Sequence, residues 1–121
     1  MKVTVRLTKN FKSELKPLMK KFKSLPKDLL LLEKKLIQEP RLGFPLGNDC
    51  YKIRLKITSK GKGKSGGARI ITLVENEIIG LVQILEEEEI FITFLSIYDK
   101  SAVGNISDKE LKELIKLYKR Q

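Results

Sequence analysis

Few kinds of side chain in this 121-residue chain could do chemistry. There is no histidine, and there is one cysteine, Cys50. Histidine general bases, Ser-His-Asp and Cys-His nucleophile systems and His-based metal sites are therefore excluded. A zinc finger and a disulfide framework are excluded with them. What remains in quantity is positive charge: 25 Lys and Arg against 15 Asp and Glu, a net +10. The cations are clustered. Cys50 to Val74 holds seven of them (Lys52, Arg54, Lys56, Lys60, Lys62, Lys64 and Arg69) and no acid. Met1 to Lys27 holds nine cations and one acid, Glu14, whereas Glu75 to Asp99 holds seven acids and no cation. A stretch of like charge repels itself unless an anion neutralises it, and nucleic acid is the commonest such anion.

Lys and Arg can run phosphodiester chemistry without histidine. The pentacovalent transition state carries more negative charge than the ground state, and preorganised cations stabilise it preferentially. In a crowd of lysines each positive neighbour disfavours the next proton, so one of them can serve as acid or base near neutrality. RNA supplies its own nucleophile, the 2′-OH. A basic surface of this kind is equally compatible with plain nucleic-acid binding. Two other motifs carry nothing. Gly63-Lys64-Ser65 ends like a phosphate-binding loop, but Thr58 stands where the first glycine belongs and Gly66-Gly67 lead into a strand. The acids Glu86 to Glu89 fit a hairpin tip that keeps an edge from pairing.

These residues need elements to position them. Lys2 to Leu7 alternates and predicts a strand. Leu7, Phe11, Leu15, Leu18, Phe22 and Leu25 lie at helical spacing; Thr8 or Asn10 can cap the start, and Pro17 predicts a kink or a later start. Pro26 and Asp28 open a second helix that Pro40 stops, and Arg41 to Asp49 reads as a loop. Cys50 to Ile57 alternates, with Lys52, Arg54 and Lys56 on one face about 7 Å apart. Thr58 to Gly67 reads as a loop, Ala68 to Val74 as a strand, and Glu75 to Glu77 as a turn. Ile78 to Leu85 and Ile90 to Tyr98 read as a hairpin too apolar to stand in water on both faces. A capping box at Ser107 to Glu110 opens a C-terminal helix through Leu111, Leu114, Ile115 and Tyr118. The sum is one α+β domain over residues 1–121, ordered β-α-α-β-β-β-β-α, with an antiparallel sheet. With no long apolar run and no secretory leader pattern, a cytoplasmic protein with no membrane association is expected.

Three strings together resemble one family. They are Asp49-Cys50-Tyr51-Lys52-Ile53-Arg54-Leu55, then Ser59-Lys60-Gly61-Lys62-Gly63-Lys64-Ser65-Gly66-Gly67-Ala68-Arg69, then Leu95-Ser96-Ile97-Tyr98-Asp99-Lys100-Ser101. They resemble the RelE/HigB toxins of type II toxin–antitoxin modules, and the resemblance spans most of the chain. It implies a compact antiparallel sheet with two N-terminal helices packed on it and a C-terminal helix. It also implies a metal-independent, cofactor-free mRNA endoribonuclease that acts in the ribosomal A site, leaves a 2′,3′-cyclic phosphate, and is bound by a cognate antitoxin. On this resemblance Lys52, Arg54, Arg69, Tyr98 and Lys100 form the catalytic set, and Lys56, Lys60, Lys62 and Lys64 bind RNA. Arg54 stands where the relatives have a lysine, and arginine cannot act as a base at neutral pH; the base role then moves to Lys52, Lys56 or the loop lysines. Val74 to Ile90 is longer than in the relatives. A same-fold gyrase-poisoning toxin of the ParE branch and a non-catalytic RNA-binding protein are the competing readings.

Overall fold

The computed structural model describes residues 2–60, 67–77, 88–100 and 105–120. The elements are β1 (Lys2–Leu7), α1 (Lys9–Lys21), α2 (Leu25–Gln38), β2 (Phe44–Gly47), β3 (Cys50–Leu55), a 3-10 turn (Thr58–Lys60), β4 (Ala68–Glu77), β5 (Glu89–Asp99) and α3 (Asp108–Lys119). The chain is α+β, with a five-stranded sheet in the order β1-β5-β4-β3-β2.

Three expectations need correction. The sheet is mixed, because β1 runs parallel to β5, with Lys2 opposite Glu89 and Leu7 opposite Phe94. Alternation in β1 fixes which side chains face inward, but it carries no information on the neighbour or its direction. Within the expected loop 41–49, Phe44–Gly47 forms β2 and pairs antiparallel with β3. Pro45 is tolerated there because β2 is an edge strand. Glu75, Asn76 and Glu77 continue β4 opposite Phe91, Ile90 and Glu89 instead of turning. The expected strand Ile78–Leu85 lies outside the described residues.

The helices start where their sequences allow. Thr8 caps α1, its Oγ1 accepting from the Phe11 N–H at 3.0 Å. The same hydroxyl donates to Phe94 O at 3.0 Å, which fastens the helix start to β5. Pro17 sits on the exposed side within α1, and the helix begins at Lys9, after its Thr8 cap, not at the proline. At α3 the capping box is complete: the Glu110 N–H donates to Ser107 Oγ and the Ser107 N–H to Glu110 Oε1, both at 3.1 Å.

Two cores flank the sheet. On one face α1 and α2 bring Phe11, Phe22, Leu25, Leu32 and Leu36 against Ile53, Leu55, Ile70, Ile92, Phe94 and Ile97. The rings of Phe11 and Phe94 meet edge to face, 5.2 Å apart. On the other face Leu111 of α3 packs on Cys50, Ile71, Leu73 and Leu95. Strand β5 is thus interior to the sheet and covered on both sides, and every residue from Ile90 to Ile97 is buried. This explains its unbroken apolar run. A bulge interrupts β5: Ile71 pairs with Ser96 but Thr72 pairs with Phe94, leaving Leu95 as the extra residue. Ile92, Phe94 and Ile97 therefore share one face despite the odd spacing.

Candidate active site

The candidate residues gather on the face on which α3 packs, at the end of the sheet where β3 finishes and β4 begins. Arg54 of β3 stands opposite Arg69 of β4, and Arg69 stands opposite Tyr98 of β5. Directly opposed residues point to the same side with Cβ atoms about 5 Å apart, so three consecutive strands present two guanidiniums and a phenol in one row. The β5 bulge decides this. A strictly alternating β5 would place Tyr98 with Ile92 and Phe94 under α1, away from Arg69.

Arg54 is exposed, whereas Arg69 is only 4% exposed. Burial lowers the proton affinity of Arg69, and repulsion from Arg54 lowers it further; the Tyr98 phenol works the other way. An arginine remains a cation through such a shift, so the row is positively charged and partly dry. The Arg69 Nη1 donates to Ala68 O at 3.2 Å, which restrains the guanidinium. The Tyr98 hydroxyl is held in its protonated form: burial raises its pKa, Arg69 opposes the rise, and Glu110 adds to it. The hydroxyl oxygen is buried and makes no hydrogen bond among the described residues. Tyr98 also lines a cleft of about 590 Å³ between α1 and α3, with Asn10, Glu14, Ser96 and Glu110. Glu14 there accepts from Ser96 Oγ and Asn10 Nδ2, each at 2.8 Å.

The other candidate residues spread outward from the row. Lys52, one pleat back along β3 from Arg54, stands opposite Ile71 and so lies diagonally from Arg69. Its Nζ donates to Asn105 Oδ1 at 3.3 Å, just ahead of α3. Lys56 is exposed beyond the end of β3. Lys100 is exposed in the turn after β5, and its backbone N–H donates to Gly67 O at 3.2 Å. The backbone of Lys60 closes the 3-10 turn; Lys62 and Lys64 lie outside the described residues. Arg54, Arg69 and Tyr98 are thus brought together, Lys52 is adjacent, and Lys56 and Lys100 mark the two chain exits. Tyr98 is half-buried and packs against the second core cluster beside α3.

Two supporting residues escaped the sequence reading. Asp28, 6% exposed, reads from sequence as a favourable acid at the start of a helix. In the fold it accepts from the Thr58 N–H at 3.1 Å, from Thr58 Oγ1 at 2.7 Å and from Ser24 Oγ at 2.8 Å. It therefore ties α2 to the turn from which the lysine-rich stretch departs. Gly67, φ +63°, is the second. A Cβ there would lie 2.5 Å from Leu55 O, so only glycine lets the chain enter β4 this close to the end of β3.

No protein-family model matches this chain, and no curated protein matches it.

Proposed function

We propose that this chain is an endoribonuclease toxin of the RelE/HigB kind, which cleaves mRNA in the ribosomal A site and is neutralised by a cognate antitoxin. One observation carries the reading: Arg54, Arg69 and Tyr98 stand side by side on three neighbouring strands. Like charges directly opposite each other destabilise a sheet. Two guanidiniums in one row, one exposed and one buried, suit the charge-assisted binding of an anion. A phosphodiester is such an anion, and its charge grows in the transition state.

The chemistry then divides among these groups. A base among the lysines that surround the row removes the proton of the RNA 2′-OH. The 2′-oxygen attacks the adjacent phosphorus while the bond to the 5′-oxygen breaks. Arg54 and Arg69 stabilise the equatorial oxygens. Tyr98, protonated, gives its proton to the departing 5′-oxygen once substrate binding uncovers its hydroxyl, and regains one from water in the cleft it lines. The products are a 2′,3′-cyclic phosphate and a 5′-hydroxyl. Lys56, Lys60, Lys62, Lys64 and Lys100 hold the flanking strand and the ribosomal RNA by charge. The same excess of cations suits an acidic antitoxin segment that orders on binding.

The test is expression of the chain without any partner, with growth, translation and transcript ends followed. The wild type should arrest translation and leave 2′,3′-cyclic phosphate ends on mRNA. Arg69→Ala should remove about 10²–10³ of the cleavage rate, the usual effect of deleting one preorganised donor. Tyr98→Phe should slow cleavage while leaving RNA binding intact. A fully toxic Arg69→Ala protein, or arrest without cleaved transcripts, would overturn the assignment.

A further inference from the structure

Phe44 is the most exposed large apolar side chain among the described residues, at 66%. It begins β2, an edge strand of the sheet, and stands directly opposite Lys52. The Lys52 ammonium lies 5.8 Å from the centre of the ring. Because β2 starts at Phe44, no strand covers the edge of β3 beyond Lys52. A cleft of about 570 Å³ opens there, and its charged lining residues are Lys35, Lys52 and Arg54, with no acid among them. That size is within the range of small-ligand sites. Gly43 fixes the ring's starting point: with φ +111° it lies so close to β3 that a Cβ would sit 2.6 Å from Lys52 O. The platform is therefore built into the backbone.

An aromatic face beside three cations selects a ligand that has both a flat π-surface and a negative charge. Single-stranded nucleic acid has this combination at every residue, with the base stacking on the ring and the phosphate on the cations. An acidic peptide would satisfy the cations but does not pair a flat π-surface with a negative charge at every residue. From this we infer that Phe44 is the stacking platform for an unpaired RNA base next to the phosphate held by Arg54 and Arg69, with Lys35 and Lys52 as the backbone contacts of that subsite. The inference rests on the ribonuclease reading and adds a substrate subsite to it. Since every base has a π-face, the subsite favours single-stranded over paired RNA and is tolerant of sequence.

The experiment uses the full chain and a short single-stranded RNA that is 2′-O-methylated throughout, so that it binds without being cleaved. A 2-aminopurine placed at successive positions reports stacking by quenching. Wild-type protein should bind and quench at one position. Phe44→Ala and Phe44→Leu should both weaken binding roughly tenfold and abolish the quench, and Phe44→Trp should restore both. Circular dichroism would confirm that each variant folds. If Phe44→Ala binds and quenches like wild type while Arg54→Ala binds weakly, the subsite is wrong and the ribonuclease reading survives. If the wild-type chain binds no free RNA, the subsite falls, and the transcript ends of the expression experiment decide the ribonuclease reading. Loss of an acidic protein partner in Phe44→Ala with RNA binding unchanged would assign the ring to a protein surface and overturn the inference.

Discussion

Asp28→Ala removes the acceptor for three donors at once: the Thr58 N–H, Thr58 Oγ1 and Ser24 Oγ. Ser24 Oγ, which accepts from the Ser59 N–H at 2.8 Å, loses the carboxylate that orients it. Hydrogen bonds to a charged group each contribute about 1.5–3 kcal/mol. The site is at the protein margin, where water can reach some of the released donors, so the sum is nearer about 3 kcal/mol than the full total. For a domain of this length that corresponds to a fall in Tm of about 10 °C. Asp28→Asn should be much milder. Its amide oxygen can accept from the Thr58 N–H and Ser24, while its NH₂ donates to Thr58 Oγ1, which reverses its role. About 1 kcal/mol is then lost, the difference between charged and neutral hydrogen bonds. Calorimetric melts of the two variants give the comparison, and hydrogen exchange at Thr58 and Ser59 should quicken in Asp28→Ala. A Tm change below about 3 °C in Asp28→Ala would refute the tie between α2 and the turn. Equal losses in the two variants would show that the carboxylate charge, and not the geometry of its partners, does the holding.

The Cys50 thiol is 1% exposed, and burial, with Asp49 and Glu75 adding to it, raises its pKa from 9.0 to about 11. The native state therefore keeps a proton that the unfolded chain loses, so this contribution is intact below about pH 9 and fades towards about pH 11. Urea titrations at about pH 8.5 and about pH 10.5 should show wild type losing about 2 kcal/mol more than Cys50→Ala over that interval; parallel curves would contradict the buried thiol. Gly67→Ala should lower stability by more than about 1 kcal/mol and depress cleavage, because the chain must move at Leu55 O and take Arg69 and the Lys100 turn with it. Asparagine, which tolerates positive φ, should rescue nothing, since its Cβ meets the same oxygen; recovery in Gly67→Asn would show that φ strain alone mattered.

Period and capping made much of this protein legible from its residues. Thr8 and Ser107 cap helices because their hydroxyls accept from N–H groups three residues on, a local relation that needs no fold. The alternation of Tyr51, Ile53 and Leu55 against Lys52 and Arg54 fixed which side of β3 faces the first core. The apolar run of β5 announced a strand buried on both faces. Long-range pairing was not legible. Nothing local tells Lys2–Leu7 to lie parallel to Glu89–Phe94, nor tells Phe44–Gly47, with its proline, to close the sheet edge. The row Arg54–Arg69–Tyr98 depends on two registers and on one bulged residue, Leu95, which turns Tyr98 to the face of Arg69. A bulge is placed by how two strands settle against both cores at once, and a period-2 pattern read along one strand contains no trace of it. The sequence determined which residue types would carry the charge; only the tertiary structure decided that Asp28 would hold the turn at Thr58, that Phe44 would stand beside Lys52, and that two arginines and a tyrosine would meet.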